Sequence, residues 1–312
     1  MSATRIERDC LGEMEIPEEH YYGIQTHRMV KVSGTAHLPV IFYPGMHRAL
    51  AQIKKACARA NAEIGAITPE IGKAIAQAAD EVYAGKFDDQ FPLDMWQGGG
   101  YTCVNMNVNE VVGNRANEIL TGHKGQDTVH PNTHVNKAQS TNDTIPSATH
   151  LAIAPELDKI IAGVEALQHS FEKKASEFKD DVKVGRTCWQ DALPLTLGQE
   201  FEGFATLMKR LAAKLKAARP GCFEIVMGGS AIGTGLGADP GYMDALYKYL
   251  SEQYGETVRP AESLFDGFQN PDFCVTISGL VKEVATSVSK ISKDLRLCLL
   301  YTSPSPRDRS VS

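Results

Sequence analysis

Apolar residues recur at spacings of three and four over much of the chain, and three stretches hold that period long enough to predict rods. In residues 156–178, Leu157, Ile160, Ile161, Val164, Leu167, Phe171 and Phe178 share one stripe, with Glu and Lys opposite. At about 1.5 Å per residue this helix is roughly 35 Å long. A second rod runs from about Leu195 to Ala218, where Pro220 stops it. The third, about 273–297, carries Ile277, Leu280, Val281, Val284, Val288, Ile291 and Leu295. Three shorter helices precede them. One follows Gly45, with Leu50, Ile53, Cys57 and Ala60 on its stripe. The next opens at Thr68-Pro69, an N-cap followed by a residue suited to the first helical position, and stops near Gly85. The third fills about 103–121 and ends at Gly122. Long rods without strand alternation predict a mainly α fold built around a helical bundle. No β-α-β rhythm or internal repeat is visible, and residues 1 to about 44 read as mixed and turn-rich.

The period breaks at about Cys298. From there to Ser312 the chain has two prolines, four serines and no helical spacing. A packed helix that turns mid-bundle into a polar tail reads as foreign sequence rather than a native terminus.

Composition narrows the function class. Of 312 residues, 43% are hydrophobic and 22% charged, the balance of a globular protein. A net charge of −6 offers no basic field for nucleic acid or an anionic membrane. No run of about 18 apolar residues occurs, and the first residues lack a secretory pattern. The 7 cysteines are scattered, with no Cys-x-x-Cys pair. They read as reduced thiols of a cytoplasmic protein rather than a disulfide or zinc framework.

Four polar, glycine-bearing segments interrupt the helical pattern: Gln97–Cys103, His130–Asp143, Gly185–Asp191 and Gly228–Gly235. Taken singly, each is explained by helix capping, since each is expected where a helix begins or ends. Together they offer hydroxyls, amides and backbone N–H groups suited to a small anion such as a carboxylate. Generic motifs fail here. Gly233-Thr-Gly-Leu-Gly237 lacks the last glycine and the preceding strand of a dinucleotide fingerprint, and Ser230 is not in a Gly-x-Ser-x-Gly elbow. His130 and His134 have the spacing of a metal pair, but Pro131 and Asn132 speak against an intervening helix. No metal site is expected.

In order along the chain stand Tyr22-Gly-Ile-Gln-Thr26, Asn105-Met-Asn-Val-Asn-Glu110, Ser140-Thr-Asn-Asp143, Gly185-Arg-Thr187, Gln190-Asp191, Leu197-Gly-Gln-Glu200, Gly233-Thr-Gly-Leu236 and Asp294-Leu-Arg296. From about Arg5 to Leu297 this set resembles the aspartase/fumarase superfamily. Within it the chain looks most like the aspartate ammonia-lyases, with class II fumarases as near relatives. The resemblance implies an N-terminal domain over 1–142, a partial central helical bundle over 143–297, a non-native tail over 298–312, and a C-terminal domain absent from this sequence. It implies a homotetramer whose subunits pool their central helices, with active sites where segments of three subunits meet. It also implies elimination of ammonia from L-aspartate to give fumarate through an aci-carboxylate intermediate. That reaction removes a barely acidic Cβ proton and piles charge onto the neighbouring carboxylate, which preorganised donors stabilise.

Carried across by motif, Thr102, Ser140, Thr141, Asn142, Thr187 and Cys188 match the substrate-binding positions. His130 and Asn132 match a peripheral dicarboxylate site of the fumarases. No cofactor is implied, a divalent activator stays open, and the only partner expected besides other subunits is a small dicarboxylate or amino acid. Three departures bear on specificity. Cys188 stands where class II fumarases carry histidine, and an ordinary thiol is a poor base at neutral pH; this favours ammonia loss. Tyr101 stands where a small residue is usual, and Gly237 where asparagine is usual. The family's mobile Gly-Ser-Ser loop, which carries the serine base, would follow Asp294-Leu-Arg296-Leu297, where the tail stands instead, so no catalytic base is assigned within this chain. Two other readings stay open: a fumarase acting on L-malate, and a non-catalytic, truncated dicarboxylate-binding protein.

Overall fold

The computed structural model describes residues 3–32, 37–96, 100–188 and 190–299. The sequence reading of a foreign tail falls almost wholly outside these residues. The chain opens with an antiparallel hairpin of β1 (Thr4–Asp9) and β2 (Gly12–Pro17), then α1 (Ile24–Val32), α2 (Pro44–Glu63), α3 (Pro69–Tyr83) and α4 (Thr102–Thr121). A single π-helical turn at Pro131–Val135 precedes α5 (Thr141–Glu177). The hairpin of β3 (Val182–Thr187) and β4 (Gln190–Thr196) leads into α6 (Leu197–Ala218). The short β5 (Glu224–Ile225), α7 (Tyr242–Tyr254), β6 (Arg259–Pro260), α8 (Leu264–Gly267) and α9 (Asp272–Leu299) follow.

The described residues form two compact units. One is drawn from Met1–Ala154 and Gly221–Asn270, the other from Pro155–Pro220 and Pro271–Ser312. The core of the first is the antiparallel pair α2–α3, flanked by α4 and α7. Leu50, Ile53, Cys57 and Ala60 of α2 are buried against Ile75, Ala78 and Val82 of α3. Close approach depends on Gly72, where an added Cβ would stand 2.7 Å from that of Ala62. The Thr68 hydroxyl caps α3 through the Ile71 N–H, as its sequence predicts. Gly122, left-handed at φ 82°, ends α4. In the second unit α6 packs on α9, with an ion pair from Lys214 to Glu283 at 2.6 Å, and Phe171 meets Phe201 and Phe204. Thr196 and Gln199 form a reciprocal capping box at the start of α6.

The fold is mainly helical, and among the described residues no helix is long and apolar enough to cross a membrane. Several expectations need correction. The rod expected at 156–178 is the distal part of a 37-residue helix that begins at Thr141. It runs through Pro146 and Pro155 because Ala148, Leu151, Ala154 and Leu157 continue one buried stripe across both prolines. Residues 185–187 and 190–191 lie in strands β3 and β4, and 228–235 is a loop, so the described residues of neither segment cap a helix. The stretch before residue 44 holds an ordered hairpin and α1, and α7 went unread. Pro131 and Asn132 lie inside a helical turn after all; proline at its first position lacks only an N–H that would be unpaired there.

Candidate active site

In the first unit two of the four polar segments contribute helix starts, and the 228–235 loop is hydrogen-bonded to the second of these starts. Thr141, Asn142 and Asp143 open α5, and Thr102 opens α4 in an exposed position. Ser140 precedes α5, and its hydroxyl accepts the Asn142 N–H at 3.2 Å. The Asn142 side chain donates to the Ala231 carbonyl at 2.7 Å, tying the helix start to the glycine-rich loop. Asp143 completes the junction. One of its oxygens accepts the Ser140 N–H at 2.9 Å, and the other accepts the N–H groups of Gly228 at 3.2 Å and Ser230 at 3.0 Å. Burial, the dominant influence, pushes the Asp143 carboxyl up to about 6, against those backbone donors and the Lys54 charge. Asn105 links α4 to α5, donating to the Thr141 hydroxyl at 3.3 Å.

Lys54 lies at the centre of this junction, wholly buried, donating to Asn105, Asn136 and Gln139. Burial lowers its ammonium to about 8. The role of Lys54 was not read from sequence, although a signal existed. A lysine four residues after Leu50 and three before Cys57 stands on the apolar stripe of α2, where a charge needs partners.

Thr187 and Cys188 belong to the second unit, at the exposed end of the β3–β4 hairpin. Thr187 pairs with Gln190 across the strands, and Cys188 is left-handed at φ 49°. Tyr101 is also left-handed, at φ 66°, immediately before Thr102. Its half-buried phenol is raised by burial first and by the Asp94 charge second. Such conformations are uncommon for non-glycine side chains.

His130 caps the π-helical turn. Its Nδ1 accepts from the N–H of Asn132 at 3.2 Å and of Thr133 at 3.3 Å, and burial lowers its pKa. This leaves Nε2 as the protonated nitrogen, a donor. His134 turns inward instead, its Nδ1 accepting the His130 N–H at 2.9 Å. His130 and Asn132 line a cavity of about 530 Å³ with Arg8, Arg28, Gln126 and Glu110. Glu110 is buried there, accepting the N–H groups of Gly23, Gln25 and Thr26 at 3.0, 2.8 and 3.1 Å. Burial outweighs these donors and raises it to about 7. Among the described residues no cluster of three or more His, Cys, Asp and Glu is placed to hold a metal.

A mainly helical chain that gathers hydroxyl and amide side chains at the starts of α4 and α5 has the architecture of a fumarase/δ-crystallin-type lyase. A family model described as Lyase matches residues 12–305, and the chain belongs to that family. It is 43% identical over 298 residues to an aspartate ammonia-lyase of Bacillus sp., covering 94% of this chain and 63% of the relative. It is 44% identical over 300 residues to the mitochondrial fumarate hydratase of Danio rerio, covering 94% and 58%. A fumarate lyase:delta crystallin from Brucella melitensis, solved bound to cobalt, superposes with a TM-score of 0.92 at 39% identity, covering 97% of this chain and 66% of that one. The chain thus spans less than two thirds of the length of these enzymes.

Proposed function

We propose that the full-length protein removes ammonia from L-aspartate to give fumarate. A base takes the Cβ proton, the electron pair forms the C=C bond through an aci-carboxylate, and the C–N bond breaks with its electrons leaving on ammonia. In this reading Thr102, Ser140, Thr141 and Asn142, each supplied at sites where segments of different subunits meet, and Thr187 from another subunit, grip the carboxylates and amino group. Thr102 and Thr141 are the first residues of their helices, where the helix dipole favours negative charge. The observation that carries the proposal is the junction at Ser140–Asp143, where the buried Asp143 carboxylate fixes hydroxyl and amide groups at the start of α5. Cys188, in place of a histidine, favours ammonia over water as the leaving group.

The proposal includes a division into an N-terminal domain over 1–142 and a bundle over 143–297, a homotetrameric assembly, and a cytoplasmic location. No organic cofactor is needed. Activity before and after chelation tests for a divalent activator, which the cobalt-bound relative makes worth measuring. Fumarate hydration is the second reading, favoured by equal identity to fumarate hydratases. Fumarate formation from L-aspartate and from L-malate separates the two. Turnover of aspartate supports the proposal, and turnover of malate alone overturns it.

A further inference from the structure

Lys54 has no carboxylate within ion-pair distance among the described residues; its ammonium faces three side-chain amides. An ammonium has only donors, so each amide must present its oxygen. The distances are 2.7 Å to Asn105 Oδ1, 2.9 Å to Asn136 Oδ1 and 2.8 Å to Gln139 Oε1. That choice fixes the NH2 half of each amide. Asn136 donates to the Gln139 carbonyl at 3.2 Å, and Gln139 to the carbonyls of Val135 at 2.9 Å and Lys137 at 3.2 Å. Asn105 donates to Asn136 Oδ1 and Thr141 Oγ1, both at 3.3 Å. The Thr141 oxygen is therefore an acceptor on its inner side, and its own proton remains to be donated. No acceptor for that proton stands among the described residues.

We propose that Lys54 is a positioning residue for Thr141: acting through Asn105, it orients and polarises the Thr141 hydroxyl as a donor to a substrate carboxylate. This rests on the reading that Thr141 grips the substrate. Every link points the same way, from ammonium to amide oxygen, from amide N–H to hydroxyl oxygen, and from hydroxyl proton outward. Hydrogen bonds aligned in this sense strengthen one another in a low-dielectric interior. The positive charge thus acts at the substrate while the ammonium stays sealed in the core. Its burial-lowered pKa of about 8 keeps it charged at neutral pH and brings its deprotonation within reach of a pH profile. The titratable groups bearing on it are Cys57 on α2, itself raised to about 12 by burial, and Asp143 on α5. Tyr242 on α7 bears on Cys57 and is raised by burial. The neighbours from α4 and from the turn before α5, Asn105, Asn136 and Gln139, are uncharged.

The test is a double-mutant cycle in the full-length protein with Lys54→Met, Thr141→Val and both. Lys54→Met alone is expected to raise KM about tenfold, the scale of a lost charge-assisted hydrogen bond. In the Thr141→Val background it should change KM less than about twofold. A purely structural lysine would raise KM by the same factor in both backgrounds, and that result overturns the inference. If Lys54→Met fails to fold, pH profiles of wild type and Thr141→Val decide. A rise in KM above about pH 8 in wild type, absent from Thr141→Val, supports the relay; equal rises in both overturn it. A wild type producing fumarate from neither aspartate nor malate overturns the functional reading and this inference with it. An active wild type with an additive cycle overturns the inference alone.

Discussion

Asp143 accepts the backbone N–H of Ser230 at 3.0 Å across 87 residues of chain. With the Gly228 and Ser140 donors, this buried carboxylate pins the glycine-rich loop to the start of α5. Asparagine at position 143 would turn an NH2 group towards one of those N–H donors and leave it unpaired. Asp143→Asn is therefore expected to cost about 3 kcal/mol, the scale of a buried charged acceptor lost. Hydrogen exchange should rise most in residues 226–232. Unchanged exchange there would show that the loop is held by something else.

Glu110 gives the clearest pH signature. Its folded pKa of about 7 lies above its ordinary 4.5 because of burial, so folding favours the protonated form. The sign follows from linkage: its stabilising contribution is fully present below about pH 4.5 and lost as pH rises through about 7. Glu110→Gln removes that titration. Urea midpoints measured at pH 5 and pH 8 should therefore differ less in Glu110→Gln than in wild type. An equal difference in both would place the titration elsewhere.

How far these features could be read from the chain depends on the length scale of each cause. Thr68-Pro69 and Gly122 mark helix ends through contacts a few residues away, and both were legible. The start of α5 was hidden because Pro146 and Pro155 are local break signals, overridden by a buried stripe that only the fold reveals. The β3–β4 hairpin was invisible for the opposite reason. Val182, Val184 and Leu193 are exposed, so the apolar positions of the strands mark no buried face. The polar segments were recognisable as chemistry, but their convergence was not. Lys54 meets partners 51, 82 and 85 residues away, and no local spacing announces such a cluster.

Gly23 measures how tightly the two buried carboxylates hold the start of α1. A Cβ at that position would stand 2.6 Å from Glu7 Oε2 and 2.9 Å from Glu110 Cδ. Neither carboxylate can retreat freely, since Glu7 also accepts the Ile24 N–H at 2.8 Å and Glu110 accepts three further N–H groups. Gly23→Ala should destabilise the fold by about 2 kcal/mol through overpacking. Equilibrium denaturation measures this, and a loss below about 0.5 kcal/mol would show that the α1 junction yields easily.

Position 188 is where geometry and specificity can be separated. The left-handed backbone at φ 49° penalises most side chains, and glycine would relieve it without removing a buried group, since Cys188 is exposed. Cys188→Gly should therefore stabilise the hairpin by about 1 kcal/mol, read as slower exchange of the β3–β4 amides. Histidine tests the chemistry on the same backbone, because it tolerates the left-handed region better than most residues. An unperturbed imidazole titrates near about 6.5, so at neutral pH it can accept a proton and orient a water. If the side chain at 188 helps choose between ammonia and water, Cys188→His should raise the ratio of kcat/KM for malate over aspartate about tenfold, a shift of roughly 1.4 kcal/mol in relative transition-state binding. Cys188→Gly, which alters the backbone cost but supplies no base, should leave that ratio within about twofold. Equal ratios in Cys188→His and wild type would move the choice of leaving group away from the hairpin tip.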